Sequence, residues 1–155
     1  MFVRIILVLS MLISSVGGLR AVPIDAAKIQ VVDGDTLKIG RTTYRMIGYD
    51  TPELTSRWRT VGPDEKALAT IAKERLEELI RKGALDLEAV PCSCSNRKKA
   101  DGTCNFGRKC AILYVDGRNV GEQLIAEELA VPFVCGPYRC PRMPDWTTII
   151  QSYSK

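Results

Sequence analysis

Two stretches of the chain gather acidic side chains and an arginine at short spacing. Val31-Val32-Asp33-Gly34-Asp35-Thr36 sets two carboxylates two residues apart, which on an extended chain face the same side. The glycine between them invites a turn or a bulge. Ten residues after Asp35 begins Arg45-Met46-Ile47-Gly48-Tyr49-Asp50-Thr51-Pro52-Glu53, where one arginine and two acids surround the end of an apolar strand. Taken singly, such residues are usually turn formers or members of surface ion pairs. Taken together, Asp33, Asp35 and Asp50 offer hard oxygen ligands to a divalent cation such as calcium, Glu53 can accept a proton from water, and Arg45 can fork onto an anion. Arg45 and Asp50 lie five apart, so strict alternation sends them to opposite faces of a sheet. A bulge at Gly48 restores a shared face, whereas a regular strand there separates the pair.

The absence of histidine narrows the chemistry further. It excludes a Ser-His-Asp triad, a Cys-His pair and His-ligated zinc, which leaves carboxylates, arginines, lysines and thiols to act. The six cysteines fall at Cys92, Cys94, Cys104, Cys110, Cys135 and Cys140. Their spacings lack the paired intervals of a zinc site throughout and contain no C-x-x-C redox pair, so disulfides are the favoured reading. Six cysteines allow 15 connectivities. If residues 85–92 pair antiparallel with 110–115, Cys92 reaches Cys110, with Cys94 to Cys104 nested inside and Cys135 to Cys140 local.

These residues need elements to hold them. Ile29 to Val32, Thr36 to Ile39 and Thr42 to Tyr49 read as strands, the last two joined by a Gly40-Arg41 turn. Leu54 to Val61, with Arg57 and Arg59 on either side of Trp58, shows no periodicity and reads as a mobile loop. Gly62-Pro63-Asp64-Glu65 opens a helix whose apolar face is Leu68, Ile71, Ala72, Leu76, Leu79 and Ile80, ended by Gly83. Leu85 to Val90 and Cys110 to Val115 read as strands, and Val120, Leu124, Ile125 and Leu129 as a shorter amphipathic helix. Beyond Val131 four prolines and two cysteines predict an irregular, stapled tail. Five or so strands around two helices suggest an α+β domain built on a small barrel.

At 155 residues the chain fits one domain, and 46% hydrophobic with 26% charged residues excludes a wholly disordered or collagen-like protein. Residues 1–21 differ in composition: Arg4 precedes an uncharged run from Ile5 to Val16, followed by small residues. They read as a secretory signal peptide, with an uncleaved membrane anchor as the alternative. Without them the net charge falls from +4 to +2, because Arg4 and Arg20 are lost, while every cysteine stays. Export and an even cysteine count agree, since disulfides persist in oxidising compartments. The expected location is therefore secreted or periplasmic, or membrane-anchored facing away from the cytoplasm.

The acidic and arginine segments, the Gly62-Pro63-Asp64-Glu65 helix opening, and Gly107-Arg108 followed by a strand, Asp116-Gly117 and a helix occur in one order between Lys28 and Val134. In this the sequence resembles the staphylococcal nuclease-like (thermonuclease) domain family, and its cysteines are similar to those of cysteine-bearing bacterial members. The resemblance implies a five-stranded OB-fold barrel with two or three packed helices over residues 22–134, followed by the cysteine- and proline-rich tail 135–155. It implies a calcium-dependent nuclease acting on DNA, RNA or both with low sequence specificity and leaving 3′-phosphates. It further implies calcium held by Asp35, Asp50 and the Thr51 carbonyl with Asp33 behind them, Glu53 as general base, and Arg45 and Arg108 on the phosphate. The expected partner is a nucleic-acid substrate, bound by a monomer with no small-molecule cofactor. Where the family's best-known member has a lysine and a tyrosine, this chain has Asn105-Phe106, and Phe106 can stack on a base but cannot donate a hydrogen bond. Between Cys92 and Cys110, Arg97, Lys98, Lys99, Arg108 and Lys109 face Asp101 alone, a local excess of +4 that could extend a path for a nucleic-acid backbone. The alternatives are a non-catalytic OB-fold module binding nucleic acid or protein, and a cysteine-stapled interaction domain with no nucleic-acid role.

Overall fold

The computed structural model describes residues 22–137 and 139–153. The leader expected over residues 1–21 lies outside them. Among the described residues no helix is long and apolar enough to cross a membrane.

Among the described residues nine short strands and four α-helices form a mixed α+β structure. The main sheet holds β1 (Val22–Pro23), β2 (Ile29–Asp33), β3 (Thr36–Ile39), β4 (Thr42–Met46), β6 (Leu85–Val90), β7 (Lys109–Val115) and β8 (Arg118–Asn119). Its order is β1-β6-β7-β4-β3-β2, with β8 pairing on β7. β5 (Gly48–Asp50) and β9 (Val131–Phe133) form a separate antiparallel pair. The mixed α+β class is the one expected, and β6, β7, β4, β3 and β2 lie side by side in one sheet. Among the described residues the sheet does not close on itself, and the expected long strand from Thr42 to Tyr49 is split at Ile47 into β4 and β5.

The long helix α1 (Pro63–Lys82) lies within a residue of its expected bounds, with Pro63 in its first turn and Asp64 and Glu65 at the positive end of the dipole. Its buried face is Ala69, Ala72, Leu76, Leu79 and Ile80 together with Glu65. Ile71, expected on that face, is exposed, because the contact stripe runs through Ala69 and Ala72 instead. Gly83 ends the helix in extended backbone rather than a left-handed cap. Glycine is required there for space, since a Cβ would strike Val115 and Asp116, whose carboxylate accepts from the Ala84 N–H at 2.8 Å. Leu37, Leu76, Leu113 and Leu124 are wholly buried in the core between α1, α3 (Val120–Ala126) and the sheet. Each contributes about 1.5–3 kcal/mol by leaving water.

Two segments are more ordered than their composition suggests. The basic insertion carries a short helix, α2 (Asn96–Ala100), capped by the Ser95 side chain. The tail ends in α4 (Trp146–Tyr153), which packs on α1 and buries Trp146. The cysteines pair as Cys92–Cys110, Cys94–Cys104 and Cys135–Cys140. This is the nested set that follows from β6 pairing antiparallel with β7, in which Val90 stands opposite Cys110.

Candidate functional site

Three adjoining strands bring the acidic and arginine segments together. Arg45 on β4 stands opposite Thr36 of antiparallel β3 and beside Cys110 of parallel β7. Asp33 and Asp35 flank the turn between β2 and β3, where a register shift interrupts the ladder. They are neighbours through that turn, with the Asp35 N–H donating to Asp33 Oδ1 at 3.1 Å, and not through strand alternation. Gly34 is needed for a close approach: a Cβ there would lie 2.7 Å from Thr51 Cγ2.

The parity problem between Arg45 and Asp50 is solved at Ile47-Gly48. The strand breaks there, and Gly48 takes φ +95°, a conformation that favours glycine. Arg45 then reaches back to donate to Asp50 Oδ1 at 2.6 Å and to the Tyr49 carbonyl at 3.3 Å, while its other terminal nitrogen pairs with Asp35 Oδ2. One guanidinium therefore bridges two buried carboxylates. The remaining acceptors are also engaged. Asp35 accepts from the Thr36 hydroxyl at 3.0 Å and the Thr51 N–H at 3.3 Å, and Asp50 accepts from Trp146 Nε1 at 3.2 Å. Tyr49 locks the arrangement from below by donating its hydroxyl to the Gly34 carbonyl at 3.1 Å.

Arg108 enters from the start of β7. Its guanidinium donates to Thr36 Oγ1 at 3.3 Å, to Asn105 Oδ1 at 3.0 Å and to the Asn105 carbonyl at 3.3 Å. Asn105 and Phe106 both adopt left-handed backbone, and the Asn105 amide also donates to Cys110 Sγ at 3.4 Å. Glu53 follows Pro52 on the loop to α1. Its N–H donates to Glu65 Oε1 at 3.1 Å, and Glu65, only 3% exposed, receives a two-pronged Arg59 at 2.5 and 2.6 Å. The loop expected to be mobile is in this way tied down at both ends.

Burial raises the pKa of Asp33, Asp50 and Glu53; the charges of Asp33 and Asp50 add to the effect at Glu53, while Arg45 opposes it at all three. Burial likewise lowers the pKa of Arg45 and Arg108. Asp33, Asp35, Asp50 and Glu53 stand against Arg45 and Arg108, an excess of two negative charges in a partly desolvated place. Among the described residues no three acidic or cysteine side chains converge as a ready-made metal cage. The donor set nevertheless fits a hard divalent cation: all oxygen, two carboxylates drawn to one point by a shared guanidinium, and a deficit of two positive charges.

Of the expected site residues, Asp33, Asp35, Arg45, Asp50, Thr51, Glu53 and Arg108 share this region. Phe106 is 81% exposed, with the Arg108 guanidinium carbon 6.0 Å from its ring centre. Lys98, Lys99 and Lys109 are exposed on the insertion and at the start of β7. Four contributors escaped the sequence reading: Thr36, Glu65, Asn105 and Trp146. Glu65 carried only the signature of a first-turn helix acid, and Trp146 lies 96 residues from its partner Asp50.

The chain is similar to two endonucleases. It is 34% identical over 119 residues to the SPbeta prophage-derived endonuclease YokF of Bacillus subtilis (strain 168), across 74% of this chain and 36% of that protein. It is 34% identical over 113 residues to Endonuclease YncB of the same organism, across 70% of this chain and 48% of that one. The chain thus spans less than half the length of either relative. No protein-family model matches it.

Proposed function

We propose that this chain is a calcium-dependent nuclease that hydrolyses phosphodiester bonds of DNA, RNA or both with little sequence specificity. The observation that carries the reading is the Arg45 bridge between Asp35 and Asp50, with Arg108 joined to the same cluster through Thr36. The similarity to proteins called endonucleases supports it, as does the resemblance to the staphylococcal nuclease-like domains and their OB-fold barrel.

In-line attack on a phosphodiester builds negative charge on the phosphoryl oxygens, so preorganised positive charge is the main requirement. Arg45 and Arg108 supply it, each fixed by hydrogen bonds to side chains and backbone carbonyls, and so reorient little as the charge develops. Glu53 takes a proton from the attacking water. Its pKa, raised by burial and by the charges of Asp33 and Asp50, makes its carboxylate a better base than that of an exposed glutamate. Asp35, Asp50 and the Thr51 carbonyl would hold calcium, with Asp33 behind them. The ion would supply the positive charge that the cluster lacks and polarise the phosphate. Lys98, Lys99 and Lys109 attract the backbone without reading sequence, and Phe106 offers a face to a base. The three disulfides support work in an oxidising compartment, secreted or periplasmic.

The test is cleavage of single- and double-stranded DNA and RNA by the oxidised chain, with calcium or with chelator, beside Glu53→Ala. Calcium-dependent cutting reduced by at least about 100-fold in the variant is expected. Binding without cutting would make the domain a non-catalytic module, and neither binding nor cutting would refute the reading altogether.

A further inference from the structure

The two carboxylates that Arg45 bridges are held differently on their remaining sides. Asp35 is fixed from close by, through the Thr36 hydroxyl and the Thr51 N–H. Asp50 accepts from Arg45 at Oδ1, and its Oδ2 takes the Trp146 indole N–H at 3.2 Å, among the described residues the one hydrogen bond to that oxygen. Asp50 is 1% and Trp146 2% exposed, so water is poorly placed to replace the bond. The chain fastens the path that brings Trp146 there. Asp50 of β5 stands opposite Val131 of β9, where the tail departs. Cys135–Cys140 closes the next turn, with the Gly136 N–H donating to the Arg139 carbonyl at 2.9 Å. Asp145 then accepts from the Thr148 hydroxyl at 2.9 Å at the start of α4, and α4 rests on α1. The Asp145 charge is felt at Arg59 and Glu65, which places the start of this helix beside the anchor of the Glu53 loop. The tail thus leaves the site beside Asp50 and returns to it at Asp50.

A buried indole N–H needs some acceptor, and a backbone carbonyl would serve. Here the acceptor is an oxygen of a proposed calcium ligand. The donor carries no charge, so it fixes the turn of the carboxylate without cancelling the negative charge that a cation needs. Groups that hold a metal-binding carboxylate in this way matter to affinity nearly as much as the ligands themselves. We propose that Trp146 is a positioning residue of the nuclease site: its indole N–H fixes Asp50 Oδ2, and the tail is thereby part of the catalytic domain, required for tight calcium binding. The inference rests on the calcium-dependent nuclease reading and adds to that site a residue and the segment that delivers it.

Two variants separate the bond from the bulk. Trp146→Phe keeps a large apolar ring and loses the donor. Trp146→His keeps a five-membered ring whose N–H can take the place of the indole N–H, and loses the bulk. Calcium binding by the oxidised full chain is measured by titration calorimetry at about pH 8, where an imidazole is neutral. Trp146→Phe is expected to weaken calcium binding by about 10- to 100-fold. Trp146→His is expected to bind calcium more tightly than Trp146→Phe, although it melts at a lower temperature because it fills less of the buried space. In the wild-type chain the indole N–H resonance of Trp146, told apart from that of exposed Trp58 with Trp58→Phe, is expected to move as calcium is added. That measurement needs no substitution in the tail and decides the question even if neither variant folds. Equal calcium affinity in wild type and Trp146→Phe, or a resonance that calcium leaves in place, would overturn the positioning role and spare the nuclease. Affinities that follow the melting temperatures, with Trp146→His the weaker, would also overturn it, because bulk alone would then explain the loss. A wild-type chain that cuts nucleic acid but does not bind calcium would remove the calcium reading, and this inference with it.

Discussion

Replacing Arg59 by alanine isolates the clamp between the site loop and α1. In the native chain burial pushes the Glu65 pKa up, but the Arg59 hydrogen bonds, the Glu53 N–H and the Arg59 charge together outweigh it, leaving the carboxyl below its ordinary value. The substitution removes two charge-assisted hydrogen bonds, at 2.5 and 2.6 Å, and leaves a carboxylate that is 3% exposed with one backbone donor. Breaking a buried ion pair costs about 3–5 kcal/mol. The Arg59 side chain is 42% exposed, so water already screens part of the attraction, and the expected loss is about 1.5–3 kcal/mol near neutral pH. The sign with pH follows from the depressed pKa. Stability of this origin is fully present above the unfolded value of about 4.3 and is lost as pH falls through the folded value. The difference between wild type and Arg59→Ala should therefore be largest near neutral pH and shrink on acidification to about pH 3. Urea unfolding of both proteins at the two pH values measures it directly. A difference below about 0.5 kcal/mol near neutral pH, or one that grows as the pH falls, would refute the view that Glu65 is charged and held by Arg59.

Asn105→Gly keeps the left-handed backbone at that position but removes the side chain that holds Arg108, so cleavage should fall by about 10- to 100-fold through loss of a hydrogen bond to a charged group. In an Arg108→Ala background the same change should do almost nothing further, and additive losses in that double-mutant cycle would contradict the positioning role. Gly121→Ala should destabilise the fold by about 1–3 kcal/mol in a thermal or denaturant melt, because its Cβ would strike the ring of Tyr49, whose hydroxyl holds the Gly34 turn. Wild-type stability in that variant would mean that the ring moves aside without cost.

Local pattern alone carried much of this protein. The period of the apolar residues and the proline, acids and glycine around them placed α1, since those choices act within a single helix. The acidic and arginine segments were visible because functional charge at an apolar strand end is rare company. Cys92–Cys110, with Cys94–Cys104 nested inside it, followed once β6 and β7 were paired, because the ladder sets which of these cysteines can meet.

What only tertiary structure decided is how those residues meet. Strand alternation would have set Arg45 against Asp50, and it is the break at Ile47 with the positive φ of Gly48 that lets one guanidinium hold two carboxylates. The sheet that carries them stays open among the described residues, where five strands in a barrel were expected. Glu65 looked like an ordinary helix-opening acid, and the tail looked irregular. Folding turned the first into the anchor of Glu53 and Arg59, and the second into the helix that delivers Trp146 to Asp50. Periodicity encodes which face of an element is apolar, but a hydrogen bond spanning 96 residues depends on where two elements pack. That information exists only once the chain has closed around its core.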